Sequence, residues 1–473
     1  MKHPLRTTTA LAALAVTGIV PLALTTPASA APSGLQGDFN GDGYRDVAIA
    51  APAATVSGKS WAGQVAVVYG TASGLDPAKR TVISQNTAGI PGGAETDDMF
   101  GDALAAADLN RDGYSDLIVG AQYEKTGDRD EHAGTVVVVW GSASGLKGAT
   151  TVKNPQPLPG SYFGLSIAAA DFTGDGKPDL AISAQSDSGT SPFRIRLVRG
   201  PFTKSGSTGA VSSYAPGVDR PQLIAGRVSG DTKADLVVTG LKPTGDQPLA
   251  TAVYYRGTAS GLSKAASLRP GWAAAIGDLN KDGYGDIVLG NPAEPDTEPS
   301  ASKGGKIHVI YGTGSGPSAT RRVTYTQNTA GVPDSSAYGD RFGQALAIGD
   351  FDKNGYGDLA VGARGDSEAG SITLLKGSPS GLTTTGAVRL TQDSAGIPGT
   401  NEWGDGFGST LLASDVNRDG RADLTAIGVG ENSPAGAAWF LPQAAATGSF
   451  SFSPTKLGLS TSQGGAFGED LAG

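Results

Sequence analysis

The chain has 473 residues, including 72 Gly, 28 Pro and no Cys, and its formal net charge is −9. Glycine without a Gly-X-Y period excludes a collagen, and 38% apolar residues argue against disorder along the whole chain. The acids comprise 36 Asp and only 9 Glu, so aspartate in particular is favoured, and a net acidic chain argues against a nucleic-acid partner.

The N-terminus has the pattern of an export signal. Lys2 and Arg6 precede an apolar run from Ala10 to Leu24, and Ala28-Ser29-Ala30 forms a small-residue cleavage site. The run is short and contains Pro21, so it does not predict a membrane span. We therefore expect a signal peptide over residues 1–30 and a secreted, extracellular protein over residues 31–473. The absence of Cys excludes disulfides as its source of stability.

One short segment recurs along the mature chain. Its first copy, Asp38-Phe-Asn-Gly-Asp-Gly-Tyr-Arg-Asp46, is followed by five intact copies and one altered copy. The intact copies are Asp108–Asp116, Asp171–Asp179, Asp278–Asp286, Asp350–Asp358 and Asp415–Asp423, and the altered copy is Arg227–Asp235. Repetition at this spacing indicates small structural units stacked in an array.

The surroundings of each copy predict the architecture. Phe-Gly precedes four of the copies, and short runs of β-forming residues bounded by Gly follow them, giving about four strands per unit. A seven-bladed β-propeller and an open solenoid both fit this pattern. The first unit lacks a Phe-Gly strand, whereas the chain ends in Phe467-Gly468 without a loop after it. We therefore predict an all-β, seven-bladed propeller in which the C-terminal Phe-Gly strand completes the first blade and leaves no open edge.

The six intact copies predict metal sites. Oxygen ligands at alternate positions before a Gly that permits a sharp turn are typical of hard cations, and calcium is the expected ion. We expect about six structural ions. The predicted ligands at positions 1, 3, 5 and 9 are Asp38, Asn40, Asp42, Asp46, Asp108, Asn110, Asp112, Asp116, Asp171, Thr173, Asp175, Asp179, Asp278, Asn280, Asp282, Asp286, Asp350, Asp352, Asn354, Asp358, Asp415, Asn417, Asp419 and Asp423.

An EF-hand begins with a similar pattern, but it requires Glu at position 12. That position is occupied here by Ile49, Val119, Ile182, Leu289, Val361 and Ala426, none of which can bind a cation. A β-branched strand also follows position 9 where an EF-hand would start a helix. The pattern thus indicates calcium-type loops in β-hairpins, with the Asp at position 9 as the closing ligand.

Two copies depart from the pattern. Thr173 stands at position 3 of the third copy, so we expect a weaker site there. The altered copy has Arg227 at position 1 and Ser229 at position 3. A guanidinium placed among Asp231 and Asp235 would occupy the place of a cation, and we predict no ion in this unit.

Together these elements resemble FG-GAP repeats, the units of the integrin alpha-subunit head propeller and of many secreted bacterial proteins. The resemblance rests on Phe-Gly, on the DxNxDGxxD loop and on ends such as Ala50-Ala51-Pro52. It covers essentially the whole mature chain, although Pro221-Gln222 and Gly271-Trp272 replace Phe-Gly in units four and five. The resemblance implies structural calcium on one propeller face and partner binding on the opposite face.

The connections on that opposite face carry carboxylates and aromatic residues. The related segments Gln85–Pro91, Gln327–Pro333 and Gln392–Pro398 lead to Asp98, Asp340 and Asp405, with Trp61, Tyr123, Tyr338 and Trp403 nearby. These residues could bind a sugar or a protein partner. The alternative is that the three Asp side chains hydrogen-bond the backbone of their own turns, and this is the interpretation we favour.

Catalytic motifs are weak. The mature chain has His132 and His308, and it lacks G-x-S-x-G and H-E-x-x-H patterns. Carboxylate-only chemistry remains open with 45 acids in the chain. Arg364-Gly365-Asp366 spells a tripeptide that integrins recognise, which we attribute to chance. The leading hypothesis is a monomeric, calcium-binding module of adhesion type for an extracellular protein or glycan. The alternative is a hydrolase or lyase that acts on polysaccharide or lipid through rim carboxylates.

Overall fold

A computed structural model of the chain describes residue 1 and residues 33–125, 132–185, 193–242, 249–432, 435–460 and 466–473. Apart from Met1, the predicted signal peptide over residues 1–30 lies outside these described residues.

The strands form seven four-stranded antiparallel sheets, which we number as blades 1 to 7 along the chain. Blades 1 to 3 contain β1 (Val47–Ala51), β2 (Gln64–Thr71) and β3 (Gly74–Ile83); β4 (Ala103–Ala107), β5 (Asp116–Ala121), β6 (Thr135–Val139) and β7 (Ala149–Val152); and β8 (Ile167–Ala170), β9 (Asp179–Ala184), β10 (Arg194–Val198) and β11 (Val211–Tyr214). Blades 4 and 5 contain β12 (Asp219–Gly226), β13 (Asp235–Lys242), β14 (Leu249–Thr258) and β15 (Gly261–Ser267); and β16 (Ala273–Gly277), β17 (Asp286–Asn291), β18 (Lys306–Ile310) and β19 (Arg322–Tyr325). Blades 6 and 7 contain β20 (Phe342–Gly349), β21 (Asp358–Ala363), β22 (Ser371–Lys376) and β23 (Thr383–Leu390); and β24 (Phe407–Ser414), β25 (Asp423–Gly428), β26 (Ala437–Leu441) and β27 (Phe450–Phe452).

The last strand, β28 (Leu471–Ala472), pairs with β1 and becomes the innermost strand of blade 1. Two further bonds hold this end, from Gly468 N–H to the Ala50 carbonyl (2.7 Å) and from Ala50 N–H to the Asp470 carbonyl (3.0 Å). The innermost strands contact one another in a closed ring, with β28 between β24 and β4. The predicted seven-bladed propeller and its closure by the C-terminus are therefore confirmed.

The core consists of apolar layers between neighbouring blades. In β1, Val47 and Ile49 pack against blade 7, whereas Ala48 and Ala50 pack against blade 2. Successive side chains of a strand point to opposite faces, and here both faces are buried. This explains why the strands appear in the sequence as continuous apolar runs instead of alternating patterns.

The recurring Phe-Gly and Gly-Ala elements meet at the junctions between blades. Phe163 is fully buried, and its N–H binds the Ala133 carbonyl of blade 2. Gly164 has a φ of +98°, and its carbonyl oxygen lies 2.3 Å from where a Cβ on Gly120 of blade 2 would stand. Corresponding contacts join Gly290 to Gly343 and Gly362 to Gly408. Each pair thus excludes side chains at the point where two blades approach most closely.

The connections divide between two faces. The loop face carries the aspartate loops, which join the first and second strands of blades 2 to 7 and precede β1 in blade 1. The opposite face carries the connections from the second to the third strand and from each blade to the next. Helix α1 (Pro454–Leu457) lies in the last of these connections. Among the described residues, no helix has both the length and the apolar character required to cross a membrane.

Candidate metal loops and the opposite face

Each intact aspartate loop is a tight turn organised by its own side chains. In blade 1, the Asp38 carboxylate accepts the N–H groups of Asp42 (3.2 Å) and Gly43 (2.8 Å). Asn40 Oδ1 also accepts the Asp42 N–H (2.8 Å), and Gly43 has a φ of +92°. The bonds from positions 5 and 6 to position 1 recur in the other five loops. The structure therefore brings the predicted residues at positions 1, 3 and 5 together in all six.

The aspartate at position 9 ties each loop to the third strand of its blade. Asp46 accepts the N–H of Phe39 (2.9 Å) and the N–H of Gly70 (3.0 Å) at the end of β2. Asp116, Asp179, Asp235, Asp286 and Asp358 make the equivalent pair of bonds, and Asp423 accepts the Gln443 N–H. All seven are at most 3% exposed. Each bonded oxygen retains a second lone pair, so these bonds are compatible with a metal ion.

The electrostatics of position 9 favour a nearby cation. Burial raises the pKa of Asp46 to about 8, with a further contribution from Asp38 and Asp42, although the Gly70 and Phe39 N–H groups oppose the shift. Burial likewise raises the pKa of Asp116 and of Asp286 to about 7. An ionised carboxylate at such a position destabilises the fold unless positive charge lies beside it, which a divalent ion would supply.

The blade 6 loop has the most compact carboxylate arrangement. Asp350, Asp352 and Asp358 each offer an oxygen within 4.8 Å of the others. An all-oxygen set of this kind suits calcium, and Asn side chains supply amide oxygens in the loops of blades 1, 2, 5 and 7. The residues thus fit the predicted ion, which would be held by positions 1, 3, 5 and 9.

Backbone hydrogen bonds also connect successive loops. The carbonyl of position 1 accepts the N–H of position 8 in the next loop, as in Ser115 N–H to Asp38 (2.9 Å). The equivalent bonds join Ala234 to Asp171, Gly285 to Arg227, Gly357 to Asp278 and Ala422 to Asp350. The third loop has Pro178 at position 8, which has no N–H to donate. An ion held in one loop would therefore also stabilise the position 1 residue that bonds the neighbouring blade.

The altered loop of blade 4 differs from its sequence-based prediction in one respect. Arg227 Nη2 lies 3.3 Å from the backbone carbonyl of Asp231 and does not lie between the two carboxylates. The Asp231 carboxylate instead pairs with Arg256 (3.1 Å) and Lys233 (3.7 Å). Against the effect of burial, the Lys233 N–H and both cations hold the pKa of Asp231 below its usual range. Sequence analysis missed Arg256 because strand pairing, and not sequence proximity, places it beside the loop.

Asp235 allows the structural role of position 9 to be separated from any metal. It is fully buried and accepts N–H groups from Val228 (3.0 Å), Ser229 (2.8 Å) and Gly257 (2.9 Å). Asp235→Ala leaves these buried donors unsatisfied at about 1–3 kcal/mol each, so we expect a loss of several kcal/mol in urea unfolding. Asp231→Ala removes two surface ion pairs and the partly buried bond from the Lys233 N–H, and it is expected to cost only about 1–2 kcal/mol. Equal effects of the two variants would contradict this role.

On the opposite face, Asp98, Asp340 and Asp405 cap their own turns. They accept the N–H groups of Glu95 (2.6 Å), Ala337 (2.6 Å) and Glu402 (2.7 Å), and all three are at most 3% exposed. The interpretation that these three side chains hydrogen-bond the backbone of their own turns is therefore confirmed.

The Arg-Gly-Asp tripeptide and the two histidines noted in the sequence make structural contacts. In Arg364-Gly365-Asp366, Asp366 is 4% exposed and pairs with Arg389 (2.7 Å), so it is not presented for recognition. His308 is 4% exposed on β18 and bonds Thr324 (2.8 Å), and burial lowers its pKa to about 4. His132 stacks on Tyr162 with 6.0 Å between ring centroids.

Two cavities open on the propeller near Trp272, which sequence analysis noted only as a departure from Phe-Gly. One, of about 450 Å³, lies among the innermost strands and is lined by residues from all seven blades, including Gln222, Ser409 and Glu469. The other, of about 520 Å³, is lined by Trp272, Glu294, Asp296, Arg341 and Gln344. Trp272 is 38% exposed and contributes to both.

Comparisons with known proteins agree with this architecture. The FG-GAP repeat family matches residues 30–68, 100–139, 163–214, 270–310 and 342–375. A phosphatidylinositol-glycan-specific phospholipase D of Mus musculus is 34% identical over 161 residues, which cover 33% of this chain and 18% of the phospholipase. Integrin alpha pat-2 of Caenorhabditis briggsae is 28% identical over 296 residues, covering 62% of this chain and 20% of the integrin. The chain thus spans about a fifth of the length of these relatives.

Among solved structures, a fucose-specific lectin from Aleuria aurantia aligns at 10% identity over 72% of this chain and 90% of the lectin. Its TM-score of 0.35 is too low to bear on what this chain binds. The sequence matches and the closed ring of seven blades both indicate a propeller that contains FG-GAP repeats. The chain is a seven-bladed β-propeller that contains FG-GAP repeats in five of its blades and is similar in sequence to integrin alpha subunits.

Proposed function

We propose that this chain is a secreted, calcium-stabilised binding module that holds an extracellular glycan or protein on its opposite face. The six aspartate loops lie on one face, and backbone bonds connect most of them to the loop of a neighbouring blade, so their ions would act on the fold. This assignment leaves the opposite face available for a partner.

The observation that carries the proposal is the group of exposed aromatic side chains on that face. Trp403 is 84% exposed, Tyr338 is 65% exposed and Trp272 is 38% exposed. Trp272 borders a cavity that also presents Arg341 and Gln344. Large exposed aromatic rings beside convergent polar groups are typical of binding sites, where the ring packs on an apolar surface and the polar groups fix orientation.

A hydrolytic activity is the second candidate, favoured by the similarity to a phospholipase D. It would use carboxylates of the rim as acid and base. Asp98, Asp340 and Asp405 are engaged in their turns, which supports the binding module over this alternative.

Binding is tested with the full chain on a glycan array and in pull-downs from extracellular protein fractions, in millimolar calcium. The double variant Trp272→Ala with Trp403→Ala is expected to lower the affinity for a captured partner at least tenfold. Val388→Ala, a 44% exposed residue on the outer strand β23, is the matched control and should have no effect. Turnover of the captured glycan or lipid, abolished by Asp98→Asn in a folded protein, would support the hydrolase instead.

A further inference from the structure

The cavity of about 450 Å³ among the innermost strands, which we call the axial cavity, is built differently at blade 5. One equivalent position of these strands pairs with the third residue after position 9 of each loop. In blades 1 to 7 it is occupied by Leu471, Leu104, Ile167, Leu223, Ala274, Leu346 and Leu411. Ala274 therefore leaves space at blade 5 that a larger aliphatic side chain fills in the other six blades.

Trp272 borders that space. It precedes Ala274 by two residues, so both side chains lie on the same side of the strand, and both line the axial cavity. Trp272 is 38% exposed, and Gln222 of the preceding blade also contributes to the lining. A small residue beside an exposed indole gives the axial cavity an open aromatic surface, on which a ring-shaped ligand can stack.

The innermost strands also present backbone N–H groups to the axis, because each is the edge strand of its sheet. Side chains of the preceding blade satisfy two of these donors. Leu104 N–H donates to Asp470 Oδ2 (2.7 Å) in blade 2, and Leu223 N–H donates to Ser166 Oγ (3.0 Å) in blade 4. The accepting residues, Asp470 and Ser166, occupy equivalent positions in their own strands.

Blades 6 and 7 lack such acceptors. The residues of the preceding blades at the accepting position are Ala273 and Ala345, which have no polar side chain. Leu346 and Leu411 have the same register as Leu104, so their N–H groups also point to the axis. No residue within the described ranges accepts a hydrogen bond from either group. Two neighbouring blades thus present unpaired backbone donors to the axial cavity.

Polar side chains of the lining are also free. Gln344, Thr410 and Glu469 line the axial cavity, and their side chains make no hydrogen bond to any residue that the structure describes. Glu469 forms no salt bridge with such a residue either. The other carboxylate of the lining, Asp470, already accepts the N–H groups of Leu104 and Leu471. The axial cavity therefore combines free donors on blades 6 and 7 with a free carboxylate on blade 1.

From these features we propose that the axial cavity binds the terminal sugar of a neutral glycan, stacked on Trp272. The inference rests on the binding function proposed above and names its ligand class. A sugar hydroxyl both donates and accepts, so a sugar can bind the N–H groups of Leu346 and Leu411 and also the Glu469 carboxylate. Glu469 would repel an anionic ligand, and a cationic ligand would leave the backbone donors unpaired. The closed ring of strands surrounds the axial cavity, so a glycan would reach it with a chain end.

The test presents the full chain, in millimolar calcium, to an array of neutral, uronic acid-terminated and amino sugar-terminated oligosaccharides. Neutral oligosaccharides are expected to bind, and titration calorimetry with the best-bound one compares variants. Ala274→Leu gives blade 5 the residue that five other blades have at this position, and filling the space beside Trp272 should lower the affinity at least tenfold. Ala265→Leu, at an exposed position of the outer strand β15, is the matched control and should not change the affinity.

Two further variants keep the test decisive. Thr410→Val removes one hydroxyl of the axial lining without a change of shape and should weaken binding several-fold, even if Ala274→Leu does not fold. Ala293→Leu enters the other cavity that Trp272 borders, of about 520 Å³, and should bind like the parent. A loss of affinity in Ala293→Leu without one in Ala274→Leu or Thr410→Val, each with circular dichroism like that of the parent, would overturn the inference.

The array also separates this inference from the proposed function. Binding of charged glycans alone, or capture of a protein without any glycan, would overturn the assignment of the axial cavity to a neutral sugar and leave the binding module in place. Absence of any captured partner would contradict both.

Discussion

Removal of calcium with a chelator is expected to lower the melting temperature by about 9 °C. An extracellular site at ten times its dissociation constant adds about 1.4 kcal/mol, so six loops add about 8 kcal/mol. With an unfolding entropy of about 2.1 cal/mol/K per residue over about 440 residues, this free energy corresponds to the stated shift. Differential scanning calorimetry in calcium and in chelator measures it.

A pair of variants assigns the shift to the loops. Asp112→Asn alters position 5 of a predicted calcium loop and is expected to reduce the calcium-dependent stability by up to about 1.4 kcal/mol, because it removes a ligand charge and leaves an amide oxygen like that of Asn354. Asp231→Asn alters position 5 of the blade 4 loop, where Arg256 and Lys233 supply the positive charge, and should leave that stability unchanged. Magnesium should restore less than calcium does, because it retains its water shell and requires a stricter geometry. Identical melting curves with and without chelator would refute the structural role of the ions.

Phe467→Ala is expected to destabilise the protein by about 3–5 kcal/mol, because it leaves a cavity between blades 1 and 7. Phe467 is 4% exposed and packs in the apolar layer that contains Ile49 and Ile427. Its loss weakens the attachment of β28, which covers the edge of β1. Equilibrium unfolding in guanidinium chloride measures the change.

Phe100→Ala is the matched comparison, since Phe100 is the equivalent residue between blades 1 and 2. Similar losses in the free energy of unfolding for the two variants would indicate that the junction closed by the C-terminus is as stable as a junction between two consecutive blades. Trp403→Ala, at an 84% exposed position, should stay within about 0.5 kcal/mol of the parent. A loss below about 1 kcal/mol for Phe467→Ala would show that the ring is not held by this contact.

The fold was predictable because the patterns that specify its strands and turns lie within short segments of the sequence. Each blade repeats the same strand lengths and turns, and both faces of strands such as β5 (Asp116–Ala121) are buried, so continuous apolar runs mark them directly. The position of the closing strand was predicted to within a few residues. Phe467-Gly468 identifies the segment, although the residues that pair with β1 are Leu471 and Ala472.

The residues that provide positive charge were less predictable. Arg256 lies 25 residues from Asp231 in the sequence, and Arg389 lies 23 residues from Asp366. Both pairs form through strand register and through the packing of connections, and no local spacing signals them. The pairing of Gln85 with Glu124 across 39 residues has the same origin, and only the repetition of the Gln85, Gln327 and Gln392 segments hints at it.

The sequence by itself determined seven units, a closed ring of blades and six loops with oxygen-bearing side chains at fixed spacing. These follow from turn chemistry and strand periodicity, which act between residues close in the chain. The tertiary structure decided that Asp231 is neutralised by Arg256, that Asp366 is buried against Arg389 and that Trp272 borders two cavities. The reason is physical: a charge or an aromatic ring acquires its role from what packs beside it, and in a propeller many of those neighbours come from another strand or another blade.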